Sequence, residues 1–219
     1  MTIIRRVFLF IFVAIASVYG ADNDTGMWNE FGVRRQLPAT WYLMSNVQLR
    51  FRDNFSDFYW FRWEGAAGFK PVKWLDLRVT YRANPAEKND EWDNQNYIFI
   101  DPQVQLYSKS GWTADFRLRL QQKMDVGRSY LRLRPRLTRS FKAAGVSAGW
   151  YVYDDFRFET TALKGQRDRL NFNWAATGFT FRLWGVADLD LGYLVESSQA
   201  TSGKWGHLHV LNTSIIRRF

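Results

Sequence analysis

The sequence predicts an all-β fold, and specifically an antiparallel transmembrane β-barrel of ten or twelve strands. Apolar and polar residues alternate with period two along most of the chain, which is the pattern of strands with two unlike faces. The alternating segments span roughly 10 to 15 residues, and about 9 to 11 tilted residues cross the hydrocarbon layer. Aromatic residues make up 18% and charged residues 23% of the chain, and the two classes are interleaved.

The clearest alternation lies in the segment WTADFRLRLQ, followed by YLRLRPRLT. One face of the first segment carries Trp112, Ala114, Phe116, Leu118 and Leu120. The other face carries arginines, and the second segment repeats the arrangement with Arg132, Arg134 and Arg136 opposite leucines. A helical period would mix these faces, so both segments are predicted strands.

Similar alternation predicts eleven strands, separated by turns that are tight at one end of the barrel and by longer polar loops, such as residues 83–94, at the other. The predicted strands cover residues 27–37, 40–53, 57–70, 73–83, 95–108, 111–122, 128–139, 144–158, 167–182, 186–197 and 205–219. Eleven strands would leave the first and last parallel, whereas single-chain bacterial barrels have an even number. We therefore expect ten or twelve strands, and the segment 27–37 is the weakest of the predictions.

The first twenty residues differ in character from the rest. A basic start, MTIIRR, precedes the apolar run VFLFIFVAIA and small residues at Val18 and Gly20, which is the layout of a cleaved signal peptide. The alternative is a membrane anchor, but the run falls short of the roughly 18 apolar residues that a spanning helix needs. We predict a signal peptide at residues 1–20 and a barrel domain at residues 21–219.

Charge and cysteine content narrow the possibilities further. The net charge of +9 becomes +7 once Arg5 and Arg6 are removed with the signal peptide. The absence of cysteine excludes disulfides and thiolate metal sites. Nucleic acid is not expected as a partner, because an exported barrel without a basic arm does not meet it.

Alternation alone does not say which face lines the barrel. A soluble, lipocalin-like carrier turns its apolar face inward, whereas a membrane barrel turns it towards lipid. Tryptophan and tyrosine fall near many segment ends, where an aromatic belt lies in membrane proteins. These residues are Trp41, Trp74, Tyr81, Trp112, Tyr193 and Trp205. They favour the membrane orientation, with arginines towards the lumen.

The end of the chain resembles known proteins. A last strand that closes on Phe219 resembles the assembly signal of Gram-negative outer-membrane proteins, although Arg217 replaces the usual apolar residue. The region 28–219 also resembles a family of uncharacterised bacterial outer-membrane β-barrels, known only as a domain of unknown function. The resembling pieces include YLRLRPRLTRSF, RDRLNFNWAATGFTFRLWGVADLDLGYLVES and HLHVLNTSIIRRF. The resemblance implies a barrel in the Gram-negative outer membrane, with membrane lipids and the barrel-assembly machinery as partners, and it implies no activity.

Catalytic and metal-binding residues are not predicted. The only histidines are His207 and His209, and a serine hydrolase needs a serine beside an imidazole that a third group orients. His209 and Asn212 point to opposite faces of one strand because their separation is odd. No third ligand for a metal is marked by spacing, and no cofactor is expected.

The basic ladder on the polar face is the candidate binding feature. It comprises Arg117, Arg119, Arg132, Arg134 and Arg136. These arginines either pair with carboxylates in a plugged lumen or line a pore that favours anions, and a small anionic solute is the candidate ligand. The candidate carboxylates are Asp76, Asp101, Asp115, Asp188, Asp190 and Glu196. The function predicted is a non-enzymatic outer-membrane barrel, either a narrow pore or a structural or small-ligand barrel. The alternatives are a lipid-modifying hydrolase of the outer membrane and a soluble periplasmic carrier.

Overall fold

A computed structural model describes residues 24–88, 91–143, 145–161, 170–199 and 205–219. The predicted signal peptide, residues 1–20, lies outside them. The described residues form eleven β-strands. They are β1 (Asp24–Gln36), β2 (Trp41–Arg52), β3 (Asp57–Val72), β4 (Leu75–Lys88), β5 (Glu91–Lys109), β6 (Trp112–Lys123), β7 (Ser129–Ala143), β8 (Val146–Glu159), β9 (Leu170–Leu183), β10 (Ala187–Gln199) and β11 (Trp205–Arg218).

The strands close into a single barrel in which each pairs with its neighbours in the chain, and β1 pairs with β11. The prediction of ten or twelve strands, all antiparallel, is therefore wrong. An odd number of hairpin-connected strands brings the last strand parallel to the first, and β1 and β11 pair in parallel from Asp24 with Leu208 to Arg34 with Arg218. The parallel ladder is slightly weaker per residue, but it removes the two free edges that an open sheet would expose.

The two ends of the barrel differ. At the end named here the short-turn end, strand bounds leave two to four residues after β1, β3, β5, β7 and β9. At the opposite end the gaps range from two to ten residues. The loop predicted over residues 83–94 is wrong, because β4 and β5 continue as a hairpin from Lys88 and Glu91. Alternation weakens there, which is why the sequence pattern ended the strands early.

The strands are long and tilted. Followed once around the barrel, the register returns to β1 displaced by about 14 residues. For eleven strands this displacement corresponds to a tilt of about 40 to 45°. A 12-residue strand then rises about 28 Å along the barrel axis, which exceeds the apolar band of about 25 Å in membrane barrels.

Charged and apolar side chains lie on opposite faces of the barrel wall. Arg132 is 3% exposed and Arg119 is 5% exposed, whereas Val79 is 54% and Leu120 is 48% exposed on the outside. Trp41, Trp74, Tyr81, Trp112 and Trp205 are also exposed on the outer surface. The described residues include no helix with the length and apolarity to cross a membrane.

Candidate functional site

The basic ladder lines the lumen on β6 and β7. Alternation turns Arg117 and Arg119 inward on β6, and the register places them opposite Arg134 and Arg132 on β7. Asp115 lies opposite Arg136 in the same way. Five guanidinium groups therefore project from two adjacent strands, and their mutual repulsion requires buried counter-charges.

Two buried aspartates supply much of that counter-charge. Asp101 on β5 accepts two hydrogen bonds from Arg119, at 2.6 Å from Nε and 2.8 Å from Nη2, and a third from Arg78 at 2.9 Å. Asp155 on β8 is fully buried and pairs with Arg117 at 2.8 Å and Arg132 at 2.9 Å. Each carboxylate thus joins two arginines, in geometry that makes charge-assisted hydrogen bonds strong.

A second group of ion pairs lies on β1 to β4. Glu64 accepts from Arg82 Nε at 2.7 Å and lies 3.6 Å from Arg62 Nε. Arg62 also pairs with Glu30. Together with the aspartate pairs these contacts form the arginine lattice, a network of ion pairs on β1 and β3 to β8. Sequence reasoning named Asp101 among the partners but missed Glu64 and Asp155, although both alternate in phase with inward residues of their strands.

Aromatic rings close the lumen on the side away from the short-turn end. The Arg50 guanidinium lies between Trp28 and Trp60, 3.5 and 3.7 Å from the ring centroids. Trp174 on β9 lies 4.3 Å from the Arg132 guanidinium and 5.4 Å from that of Arg50. Because Arg50 belongs to β2 and Arg132 to β7, side chains from different sides of the barrel meet on one ring. We call these stacked rings and guanidinium groups the closing layer.

One wall of the lumen is apolar. Trp28, Ala176, Leu194 and Val210 form a buried cluster from β1, β9, β10 and β11, called here the apolar wall. In the segment RDRLNFNWA, alternation sets Phe172 and Trp174 against Asn171 and Asn173. This predicts that the two rings face outward like the other apolar residues, and that prediction is wrong. Both point inward, and Trp174 donates from Nε1 to Glu196 at 2.8 Å. Asn173 instead lies on the outer face, where it donates to Asp154, because alternation separates the two faces of a strand but does not say which one is inside.

A cavity of about 320 Å³ occupies the lumen next to the closing layer. It extends towards the short-turn end, where Arg34 and Met44 line it. Among the described residues its lining includes nine arginines but only three carboxylates, on Glu30, Glu64 and Asp190. The cavity is therefore an electropositive chamber in a low-dielectric wall, where Coulomb interactions are strong.

Some charges of this cavity lack an ionic partner. Within the described residues, Arg134 and Arg136 make no ion pair and instead lie 5.2 and 4.6 Å from the ring centroids of Tyr153 and Tyr151. The buried Nε of Arg117, whose side chain also lines the cavity, has no hydrogen-bond partner in the same part of the chain. Guanidinium groups with free donors are suited to bind a carboxylate or phosphate. The structure thus brings four members of the predicted ladder, Arg117, Arg119, Arg134 and Arg136, to one cavity. Arg117 and Arg119 are engaged by aspartates there, as is Arg132 outside the lining, whereas Arg134 and Arg136 are not.

The histidines lie on the outer surface. The register pairs His207 with Ser197 and His209 with Val195. The Ser197 hydroxyl lies 2.9 Å from His207 Nδ1, and the Tyr193 hydroxyl contacts His209 Nδ1. The described residues contain no cluster of three or more metal-ligating side chains.

Phe219 lies at the short-turn end and is 62% exposed. Its amide donates to the Arg34 carbonyl at 2.9 Å, and its carbonyl accepts from the Gln36 amide at 3.1 Å. The Arg217 guanidinium lies 4.5 Å from the ring centroid. The parallel seam between β1 and β11 therefore extends to Phe219.

A family model described as "Protein of unknown function (DUF2490)" matches residues 25–207, and the chain belongs to that family. No curated protein and no solved structure is detectably similar to the chain. The family match covers most of the barrel, and it brings no activity, ligand or catalytic residue.

Proposed function

We propose that this family member is an integral outer-membrane barrel without enzymatic activity, whose occluded lumen binds a small anion. The observation that carries the membrane part is the separation of faces: ion-paired arginines are buried inside while leucine, valine and isoleucine are exposed outside. An apolar outer surface around a whole barrel is costly in water but favourable in lipid. A soluble carrier with an apolar lumen would need the opposite orientation.

Extraction of membranes tests the location. The mature protein is expected to stay in the outer-membrane fraction through carbonate and urea washes, because its outer surface leaves water for lipid. Purified in detergent, it is expected to migrate faster unboiled than boiled, as a closed barrel resists unfolding. Release into the soluble fraction would contradict the proposal and favour the carrier.

The closing layer supports an occluded lumen over an open pore. Arg50 is 7% exposed and Trp28 is 2% exposed, so their stack leaves little room for water. We expect the wild-type barrel to be silent in a planar bilayer. The double variant Arg50→Ala with Trp174→Ala removes side chains from two sides of the layer and is expected to open anion-selective current. Steady conductance of the wild type would contradict occlusion and support the pore.

The guanidinium groups of Arg134 and Arg136, which form no ion pair in the described part of the chain, support the proposal that the lumen binds a small anion. Isothermal titration of the detergent-solubilised barrel with inorganic phosphate is expected to show binding that weakens with salt. The variant Arg134→Gln with Arg136→Gln is expected to abolish it. Arg139→Gln, a change outside the cavity lining, is the matched control. Equal binding by all three proteins would exclude this site.

A lipid hydrolase is the second candidate, because Ser197 and His207 are within hydrogen-bond reach on the outer surface. A nucleophile beside a base is the minimum that acyl transfer needs. Detergent-solubilised protein would be assayed for release of fatty acid from phospholipid, with Ser197→Ala and His207→Gln as variants. Hydrolysis that both variants abolish would establish this alternative, and its absence from the wild type would exclude it.

We propose that the machinery that folds barrels into the outer membrane recognises Phe219. Deleting Phe219 removes an exposed ring but also one pair of seam hydrogen bonds. Phe219→Ala keeps the backbone and is the sharper variant. We expect it to lower the amount of inserted barrel in cells without changing synthesis, and to leave refolding into detergent intact. Unchanged insertion would contradict an address carried by the ring.

A further inference from the structure

We propose that the ligand of the lumen cavity is a small aminoalkyl phosphate, which carries a phosphate at one end and an ammonium group at the other. This inference rests on the proposed anion-binding function and adds a second recognition element, Asp190. The cavity wall from β6 and β7 would hold the phosphate, and the wall from β10 would hold the ammonium group.

Asp190 is the carboxylate of the cavity that lacks a partner. Within the described residues, Glu30 pairs with Arg62 and Glu64 pairs with Arg82, but Asp190 makes neither an ion pair nor a hydrogen bond. Its register neighbours are Thr180 on β9 and Ser214 on β11, which are short and uncharged. An unpaired carboxylate in an enclosed lumen is costly unless a cation approaches it.

The phosphate end is defined by the arginines that face the cavity without a carboxylate. In the described part of the chain, Arg134 and Arg136 supply two charges that form no ion pair, and Arg117 adds a donor at Nε that has no hydrogen-bond partner. A phosphate monoester is a dianion with three acceptor oxygens, which matches two guanidinium groups better than a single carboxylate does.

Tyr151 fixes the shape of the wall between the two ends. It is 4% exposed. A Cβ atom added to Gly178 would lie 2.7 Å from the Tyr151 hydroxyl oxygen, and one added to Gly192 would lie 2.5 Å from it, so neither position has room for a side chain. Gly178 and Gly192 are register partners on β9 and β10. These two glycines therefore leave the space into which the tyrosine lies, between the arginines of β7 and Asp190 of β10.

Charge balance selects the ligand class. Arg134 and Arg136 contribute two positive charges and Asp190 one negative charge, so the site is neutralised by a ligand of net charge −1. An aminoalkyl phosphate meets this condition. A simple phosphate dianion balances both arginines but leaves Asp190 beside an anion, which costs affinity. A phosphoethanolamine lipid headgroup presents the same two ends, an ammonium group and a phosphate, but its phosphate is a diester with one negative charge and balances the two arginines less completely.

The test is a titration of the barrel, purified in maltoside micelles, with phosphoethanolamine and with ethyl phosphate, which differ only in the ammonium group. We expect phosphoethanolamine to bind about tenfold more tightly, the ratio that one net favourable charged contact gives. Asp190→Asn is expected to remove this preference, because it weakens phosphoethanolamine binding and relieves the repulsion that ethyl phosphate meets in the wild type. Asp115→Asn, an inward aspartate outside the cavity lining, is the control and should retain the preference.

The outcomes separate the two levels of the proposal. Equal affinities of the two phosphates in wild type and Asp190→Asn would overturn the aminoalkyl ligand but leave the anion site standing. Absence of binding by either phosphate would overturn the free ligand. The barrel would then be purified with its lipids, and retention of phosphatidylethanolamine that Asp190→Asn loses would identify a headgroup. If neither free phosphate binds and no phosphatidylethanolamine is retained, the whole proposal is overturned and the anion site with it.

Discussion

The lumen of this barrel has two unlike walls. On β3 to β8, with Glu30 of β1, the interior is an arginine lattice in which buried carboxylates each hold two guanidinium groups. On β1 and β9 to β11 the interior is an apolar wall built around Leu194 and Val210. The closing layer joins them, because Arg50 lies on Trp28 of the apolar wall and reaches to 3.7 Å from Glu196.

The contrast between the two walls explains how side chains fill a lumen that is wider than that of an eight-stranded barrel. Long arginines reach across the barrel but are stable inside only as members of a network, since an isolated buried charge is costly. Tryptophan and leucine fill the other side by contact alone. The lattice should therefore depend on single carboxylates, whereas the apolar wall should lose stability in proportion to the volume removed.

The largest effect is expected at the centre of the lattice. Asp155→Asn leaves Arg117 and Arg132 without their shared carboxylate and should destabilise the barrel by about 3 to 5 kcal/mol. The measurement is the urea midpoint of unfolding in detergent micelles. Asp115→Asn should shift the same midpoint by about 0.5 kcal/mol or less, because the described residues give Asp115 no ion pair. Similar losses from both variants would refute the central role of Asp155.

The apolar wall should respond to volume. Leu194→Ala removes a side chain that is 2% exposed and should cost about 2 to 4 kcal/mol, the range for a cavity in a packed core. Leu120→Ala, on the outer surface of β6, should cost less than about 1 kcal/mol because the surrounding detergent fills the space. Unfolding in urea compares the two. A larger loss from Leu120→Ala would mean that the outer surface packs against protein.

Arg50 tests the joint between the walls. Arg50→Lys keeps the charge near Glu196 but replaces a planar group held between two tryptophan rings by a compact ammonium. The expected loss is about 1 to 2 kcal/mol, from weaker cation–π contact with Trp28 and Trp60. Unfolding midpoints measure it, and Arg139→Lys is the control for the same change elsewhere. An unchanged midpoint in Arg50→Lys would show that charge alone holds the closing layer.

The two walls also differ in how far the sequence predicts them. Where polar and apolar residues alternate strictly, as on β6 and β7, alternation predicts that Arg119 and Arg132 share a face, and the register places them opposite one another. On β9 alternation sets Phe172 and Trp174 against Asn171 and Asn173, but the aromatic set points inward and Asn173 lies on the outer face with Asp154. Alternation separates the two faces of a strand without saying which one is inside, so the orientation of β9 comes from its neighbours.

The closure of the barrel and the charges of its lumen cavity depend on pairings between strands, and the pattern of a single strand does not predict them. The segment 24–36 alternates too weakly to predict a strand firmly, yet its pairing with β11 removes two edges at once. Which arginines remain unpaired is equally non-local: Arg117 and Arg134 are register partners, but only Arg117 reaches Asp155 two strands away. The ladder was predictable, and its division into engaged and free members was not.

A small effect is also expected at Asp154, the sequence neighbour of Asp155. Alternation turns Asp154 outward, where Asn173 donates to its carboxylate. Asp154→Asn keeps the size and much of the hydrogen bonding, and no arginine of the described residues forms an ion pair with Asp154, so the loss should stay below about 1 kcal/mol. The urea midpoint of Asp154→Asn should therefore lie close to that of the wild type and far from that of Asp155→Asn. If the two variants lost equal stability, neighbouring carboxylates on opposite faces of β8 would contribute alike to the free energy of unfolding. The position of Asp155 inside the lumen would then not explain its contribution.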